Sequence, residues 1–207
     1  MGLPKQEGYR QAVEIACEKL KEIDLRQQAE NGGFIITSDK GIEIPFFGKT
    51  YTIDPETCTF HSPDESIISL VTKGVILHYI LEADGFPLSK KLITYGEISG
   101  GMTYAGVFRR RVILPFINIF GHKLEGFKKT SELLKGIPAL FGDAAFTFQI
   151  FPKVPVTLVL WVGDEEFPPA GKMLFDASID HYLDLEDVVV MGEMIVGRLK
   201  AASQNNG

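Results

Sequence analysis

One stretch constrains the fold of this chain more than any other, because it has almost no polar face. Apolar residues run from Ile67 to Leu81 with few interruptions. Ser62-Pro63-Asp64-Glu65 precedes them and reads as a capping box, with Ser62 at the N-cap, Pro63 at the first helical position and Glu65 at N3. Gly85 and Pro87 mark the end. A helix apolar nearly all round must be covered on every side. It falls short of the ~18 consecutive apolar residues that a spanning helix needs. Other elements of the same chain must therefore wrap it, which predicts a buried central helix in one folded domain over 1–202, with a disordered tail over 203–207.

The hydrophobic period shows what does the wrapping. Tyr9, Ala12, Val13, Ala16, Leu20 and Ile23 recur at helical spacing, and Asn31-Gly32-Gly33 ends that pattern. The period then drops to two. Phe34–Thr37, Ile42–Ile44 and Thr50–Ile53 are short strands joined by Asp39-Lys40-Gly41 and Gly48-Lys49. After the central helix, Leu92–Ile98 reads as a strand broken by Gly100-Gly101. Val107–Phe120 reads as a kinked helix around Pro115 or a strand pair, and Leu124–Lys135 as a helix. Period two returns from residue 144. Phe146, Phe148 and Ile150 alternate with polar residues, Val156, Leu158, Leu160 and Val162 share one face, and Met173–Phe175 forms a third strand. A last helix follows, with Asp184 as N-cap and Leu185, Val188, Met191, Ile195 and Leu199 on its inner face. Antiparallel meanders, a buried central helix and packed terminal helices make the fold class α+β.

Charge narrows the function classes. Of 207 residues, 21 are Lys or Arg and 27 are Asp or Glu, a net charge of −6. That balance disfavours non-specific nucleic-acid binding, which needs an electropositive face. The charge is unevenly spread. Residues 86–136 hold 9 basic and 3 acidic side chains, while the flanking segments are each at −6. A basic segment within an acidic chain suits an anion or an acidic partner. The polar first ten residues show no secretory signal, so the expected location is cytoplasmic. The two cysteines, Cys17 and Cys58, are too few for an iron–sulfur cluster or a zinc ribbon and read as isolated structural residues.

Nucleotide, hydrolase and zincin motifs are missing. Gly101-x4-Gly106 is followed by Val107-Phe108 rather than Lys and Ser/Thr, and no G-x-G-x-x-G or G-x-S-x-G occurs. The histidines remain as chemical candidates. His78 shares a helical stripe with Ile67, Val71, Gly74 and Leu81, and Gly74 opens a notch one turn before it. His122 ends the apolar run inside the basic segment. His181 stands among Asp176, Asp180 and Asp184, with Asp164-Glu165-Glu166 as a second acidic turn.

Several sequence blocks carry a resemblance: Tyr79-Ile80-Leu81, Lys90–Gly101 (KKLITYGEISGG), Phe151-Pro152-Lys153-Val154-Pro155 leading to Trp161, Gly163–Pro168, Leu174-Phe175-Asp176 and Tyr182-Leu183-x-x-Glu186-Asp187. As a set they resemble the domain-of-unknown-function family 3786 of anaerobic bacteria and archaea. The likeness covers most of the chain after about residue 30. The family brings no established activity. Some members are joined to a small iron–sulfur module of the kind seen in corrinoid iron–sulfur proteins, and this chain lacks those cysteines. The resemblance implies a place in anaerobic one-carbon, corrinoid or other tetrapyrrole metabolism.

Three expectations follow. The first is a non-catalytic module binding a large anionic cofactor, a corrinoid or haem. The 22 aromatic residues would line an apolar pocket, and His78 or His122 would supply an axial nitrogen. Tyr95, Arg109, Arg111 and Trp161 are the further candidate contacts. The second is an enzyme built on Asp164, Glu165, Asp176 and His181 with a divalent metal. The third is an interaction domain whose basic segment docks an acidic protein.

Overall fold

A computed structural model of the chain describes residues 4–204. Two compact units emerge. The first comprises residues up to Pro87 together with 150–153 and 181–183, and the second the remainder. Each borrows from or lends to the other along the sequence, so no linker composition marks a boundary.

The first unit starts with helix α1 (Pro4–Leu20) and helix α2 (Leu25–Gly32). The single helix expected up to Asn31 is two, because Asp24 caps a new start. Its carboxylate accepts from the N–H groups of Arg26 and Gln27. Gly33 closes α2 in the left-handed conformation, φ 69°, its N–H donating to the Ala29 carbonyl. Strands β1 (Ile35–Ile36), β2 (Ile42–Phe46), β3 (Lys49–Asp54) and β4 (Thr59–His61) form an antiparallel sheet in chain order. Its buried set is the alternating one read from sequence, with Ile42, Ile44, Tyr51 and Ile53 inside.

The apolar helix, α3 (Leu70–Glu82), packs on α1. It starts seven residues later than the capping signal at Ser62 implies. The Ser62 hydroxyl is turned toward Asp64, to which it donates and which also accepts from Ser66 and Lys49, so this cluster closes a turn and not a helix start. Glu65 then adopts φ 55°, outside the helical region. Ser69 is the working cap, accepting from the Thr72 N–H at 3.1 Å.

At the centre of this unit Tyr79 stacks on Phe151 (4.0 Å, 4°) and on Tyr182 (5.9 Å, 24°), and Phe46 stacks on the other side of Phe151 (4.6 Å). Polar handles tie the column down. Tyr79 donates to the Gly32 carbonyl at 2.6 Å and accepts from the Lys153 N–H at 3.1 Å, and Tyr182 donates to the Phe86 carbonyl. The expectation of two isolated cysteines is corrected: Cys17 of α1 and Cys58 of the β3–β4 turn form a disulfide, with Cα atoms 5.7 Å apart.

The second unit contains strands β5 (Leu92–Thr94), β6 (Ile137–Ala139), β7 (Ala144–Phe151), β8 (Val154–Trp161) and β9 (Ala170–Asp176), ordered β5-β9-β8-β7-β6. The last residues of β7 are counted with the first unit. Strand β8 is central and buried from Val156 to Leu160. Val107–Phe120, left open between a kinked helix and a strand pair, lies in a helical run over 101–120: α4 (Gly101–Phe108), a π-helical turn (Arg109–Ile113) and α5 (Leu114–Phe120). Pro115 costs this helix nothing, because it sits where the widened turn already breaks the hydrogen-bond register. Helices α6 (Leu124–Leu133) and α7 (Leu185–Gln204) complete the unit. Asp184 accepts from the Asp187 N–H, the cap that the sequence specified. Helix α7 runs through Ser203 and Gln204 of the expected tail, and the rest of that tail lies outside the described residues. The chain is α+β, with two antiparallel sheets and packed helices.

Candidate functional site

The second unit holds a groove that is built almost entirely from local sequence signals. Strand β5 ends at Thr94, whose N–H and hydroxyl both donate to the Glu97 carboxylate at 2.8 and 2.7 Å. That clasp folds Tyr95–Glu97 into a short 3-10 turn and holds the Glu97 carboxyl below its usual range. Tyr95 is thereby turned inward, its ring stacked on Phe108 of α4 (4.4 Å, 8°) and its hydroxyl donating to the Leu185 carbonyl at 3.2 Å. Burial pushes the Tyr95 phenol up, so it stays a neutral donor. Gly101 is required for this approach: a Cβ there would lie 2.1 Å from the Tyr95 carbonyl oxygen.

The π turn shapes the opposite wall. Such turns are rare and concentrate at functional sites, because the extra residue re-aims the side chains that follow. Arg109 opens the turn, exposed, and makes no ion pair among the described residues. Ile113 closes it. Lys172 and Met173 of β9 complete the groove, whose volume is about 260 Å³. The floor is aromatic and apolar, and two cations, Arg109 and Lys172, stand at the groove. Lys172 also lies over the Trp161 ring, 5.6 Å from its centroid.

The sequence candidates distribute unequally. Tyr95 and Arg109 line the groove, and Trp161 reaches it through Lys172. Arg111 lies on the same π turn but is engaged elsewhere. Its guanidinium donates to both Glu193 oxygens at 2.7 and 2.8 Å and to Glu186 at 2.9 Å. His122 is exposed beside Gly163 and does not line the groove. His78 is half-buried on α3 in the first unit, and Gly74 one turn before it faces Val13 of α1, which a Cβ on Gly74 would meet at an ordinary contact distance of 3.8 Å.

The acidic residues are also dispersed. Asp164 is consumed by its own turn, accepting from the Glu166 and Phe167 N–H groups. Asp176 is 5% exposed and accepts from the backbone and hydroxyl of Ser89, the backbone of Lys90, and the backbone and hydroxyl of Ser178. Burial pushes its carboxyl up, and the hydrogen bonds from Ser178 and Ser89 more than offset that, so it ionises below the usual range. His181 belongs to the first unit, where Nδ1 meets Asp84 at 2.6 Å and the ring stacks on Phe86 at 3.9 Å. Among the described residues no group of three or more His, Cys, Asp or Glu side chains is placed to hold a metal ion.

Sequence reasoning missed Lys172 and Phe108. Gly171-Lys172 looked like the approach to a strand, and only the β9 register shows which face Lys172 takes. Phe108 was legible as apolar but not as the partner of Tyr95.

A small α+β protein with an aromatic groove and two cations at it is the class that fold and site define. A family model described as a domain of unknown function, DUF3786, matches residues 24–198. The chain belongs to that family. The match takes in the whole groove and begins after α1. Comparison with curated proteins and with solved structures returned no match. No helix among the described residues is long and apolar enough to cross a membrane.

Proposed function

We propose that the chain is a non-catalytic, cytoplasmic binding module for an anionic ligand with an apolar body, in anaerobic metabolism. The observation that carries this reading is the pairing of the Arg109 and Lys172 cations with the Tyr95–Phe108 stack around one groove. An anion entering there meets Arg109, whose guanidinium has no ion-pair partner among the described residues and is a planar donor fork suited to carboxylate or phosphate. Its apolar part lies on the Tyr95–Phe108 rings and Met173.

A corrinoid or haem is the fullest version of the ligand. The groove is smaller than the roughly 300–1,000 Å³ usual for small-molecule sites. It fits a carboxylate-bearing or phosphate-bearing edge of a macrocycle, not the whole ring. Neither His78 nor His122 is among its walls, so an axial nitrogen is not part of this site.

The test is a visible titration of the purified chain with haem and with hydroxocobalamin, followed by desalting. Saturable retention near one equivalent is expected. A double variant, Arg109→Gln with Lys172→Gln, should weaken it by roughly tenfold or more, the scale of a lost charged hydrogen bond. Passage of both compounds through the column unretained would sink the tetrapyrrole version. Undiminished binding by the double variant would sink the groove as the site.

A second reading has one observation behind it. Ile137, Leu140 and Phe141 are 67%, 100% and 45% exposed, next to the basic segment that ends at Lys135. Apolar anchors beside positive charge suit an acidic protein partner. Capture that falls steeply between low and physiological salt, and is lost in Leu140→Asp, would favour it.

A further inference from the structure

We propose that the Cys17–Cys58 disulfide is a thiol-exchange latch that holds α1 on α3 and is opened by a dithiol. The proposal is independent of the ligand read for the Arg109 groove.

Access is the first part of the case. Both half-cystines are partly exposed and form part of the wall of an open groove of about 740 Å³, with Glu14, Ile15, Glu18, Lys21 and Thr57 around them. Exchange needs an attacking thiolate to reach a sulfur, and a disulfide in an open groove permits that where a buried one does not. The approach is on the face of α1 where Ile15 is 59% exposed, an apolar contact for an incoming reductant.

The second part is how α1 is held: besides the bond it rests chiefly on α3. Among its described side chains only Val13, Ala16 and Leu20 are buried. A helix with so few buried side chains depends on its packing face for stability, and the bond keeps that face in place. The cross-link joins positions 41 residues apart, so it removes much of the freedom that α1 would otherwise have. Its anchor at the other end is firm. The β3–β4 turn is organised by Asp54, which accepts from the Glu56 and Thr57 N–H groups, and Cys58 is set at φ 54°.

The third part is what α1 covers. Val13 packs at Gly74, and His78 lies one turn further along the same face of α3. Helix α1 and Cys17 precede residue 24, where the family match begins, whereas Cys58 and α3 lie inside it. The latch thus fastens a helix outside the matched region over a stripe within it.

The exchange balances without a further reactant. One thiolate of the dithiol attacks a sulfur of the pair and forms a mixed disulfide, and the other cysteine leaves as a thiolate and takes a proton. The second thiol of the reductant then closes on its own sulfur, releasing the remaining cysteine. Two electrons and two protons pass to the protein, and the dithiol becomes a cyclic disulfide.

The test compares the oxidised chain with the chain reduced by dithiothreitol under native conditions. Alkylation and intact mass should count no free thiol before and two after, and oxidised dithiothreitol should restore the bond. On reduction, amide exchange over residues 7–20 should accelerate by roughly tenfold or more, as expected for a locally opening element. Amides of β8 should not change. Diethyl pyrocarbonate labelling of His78, located by peptide mass, should rise with it. The double variant Cys17→Ser with Cys58→Ser should show the reduced pattern whether or not dithiothreitol is present. If that variant does not fold, reduced and alkylated wild-type chain supplies the same comparison. A bond that native dithiothreitol leaves intact overturns the proposal, and so does complete reduction with unchanged exchange in α1.

Discussion

The two units solve the same packing problem in different ways. In the first, an aromatic column is fixed by polar atoms: the Tyr79 and Tyr182 hydroxyls and the Lys153 N–H bind segments that are far apart in sequence. In the second, the aromatic cluster has no polar handle. Phe116, Phe120, Phe127 and Phe146 meet edge-to-face or tilted, with centroids 5.2 to 5.9 Å apart. Its specificity comes from charged groups outside the cluster, Asp176 and Arg111. Stacked rings alone do not set direction, because their attraction is broad. A buried hydroxyl does, because misplacing it leaves a donor and an acceptor unsatisfied. The first unit gathers residues 150–153 and 181–183 from far along the chain and uses that device. The phenylalanine cluster of the second unit does without it, and the device appears there only at Tyr95, whose hydroxyl donates to the Leu185 carbonyl.

The largest effects should come from Tyr79 and Phe127, each fully buried. Truncation of either to Ala should cost about 3–5 kcal/mol, the range for deleting a core aromatic ring. The contrast lies in the milder variants. Tyr79→Phe keeps the ring but strips the Gly32 carbonyl and the Lys153 N–H of their partner, and should cost about 1–3 kcal/mol. Phe127→Leu keeps an apolar group among apolar neighbours and should cost less than about 1.5 kcal/mol. Urea denaturation of the four variants decides the matter. A Tyr79→Phe chain as stable as wild type would remove the distinction between the two cores.

Next in size is Asp176. Five donors converge on its carboxylate. Asp176→Ala leaves the buried ones unpaired and should cost about 2–4 kcal/mol. Because its folded pKa is lowered, its contribution is present above the unfolded carboxyl value of roughly 3.9 and fades as pH falls through the folded one. Melting temperatures of wild type should therefore drop below about pH 4 more steeply than those of Asp176→Asn, which has no carboxyl to protonate. Parallel acid profiles for the two chains would show that Asp176 is not an acid-sensitive tie of the second unit.

Legibility in the sequence followed the range of the interactions. Strands β2, β3 and β7 could be read because alternation along five to eight residues reports which face is buried, and β8 because its apolar run is bounded by turns. The α7 cap could be read because Asp184 and Asp187 are three residues apart. The start of α3 could not, because Lys49, 15 residues upstream, helps draw Asp64 away from the capping pattern. The disulfide spans 41 residues, and spacing carries no information about such a pairing. The π turn changes hydrogen-bond register without changing hydropathy, so Arg109–Ile113 read only as an apolar run with three arginines. At the groove, Tyr95 and Arg109 were found as residue types, while Lys172 and the Phe108 stack needed the fold. His78, chosen for its notch, lies where that notch faces Val13 of α1.

The smallest stability effects should come from two arginines on one turn, and they separate structure from binding. Arg111 is held by Glu193 and Glu186, with side-chain exposures of 30%, 39% and 64%. Solvent screens such a partly open pair, so Arg111→Gln should cost about 0.5–1 kcal/mol, less in high salt. Arg109 has no acidic partner among the described residues, and Arg109→Gln should leave the melting temperature unchanged. The order should invert for ligand. Arg109→Gln weakens retention of an anionic ligand at the groove, whereas Arg111→Gln, which removes a guanidinium already engaged by two carboxylates, leaves it intact. Melting curves and haem titrations on the same two variants read both quantities. If both arginines shift stability and binding together, the π turn is a single structural element, and the assignment of Arg109 to the ligand falls with it.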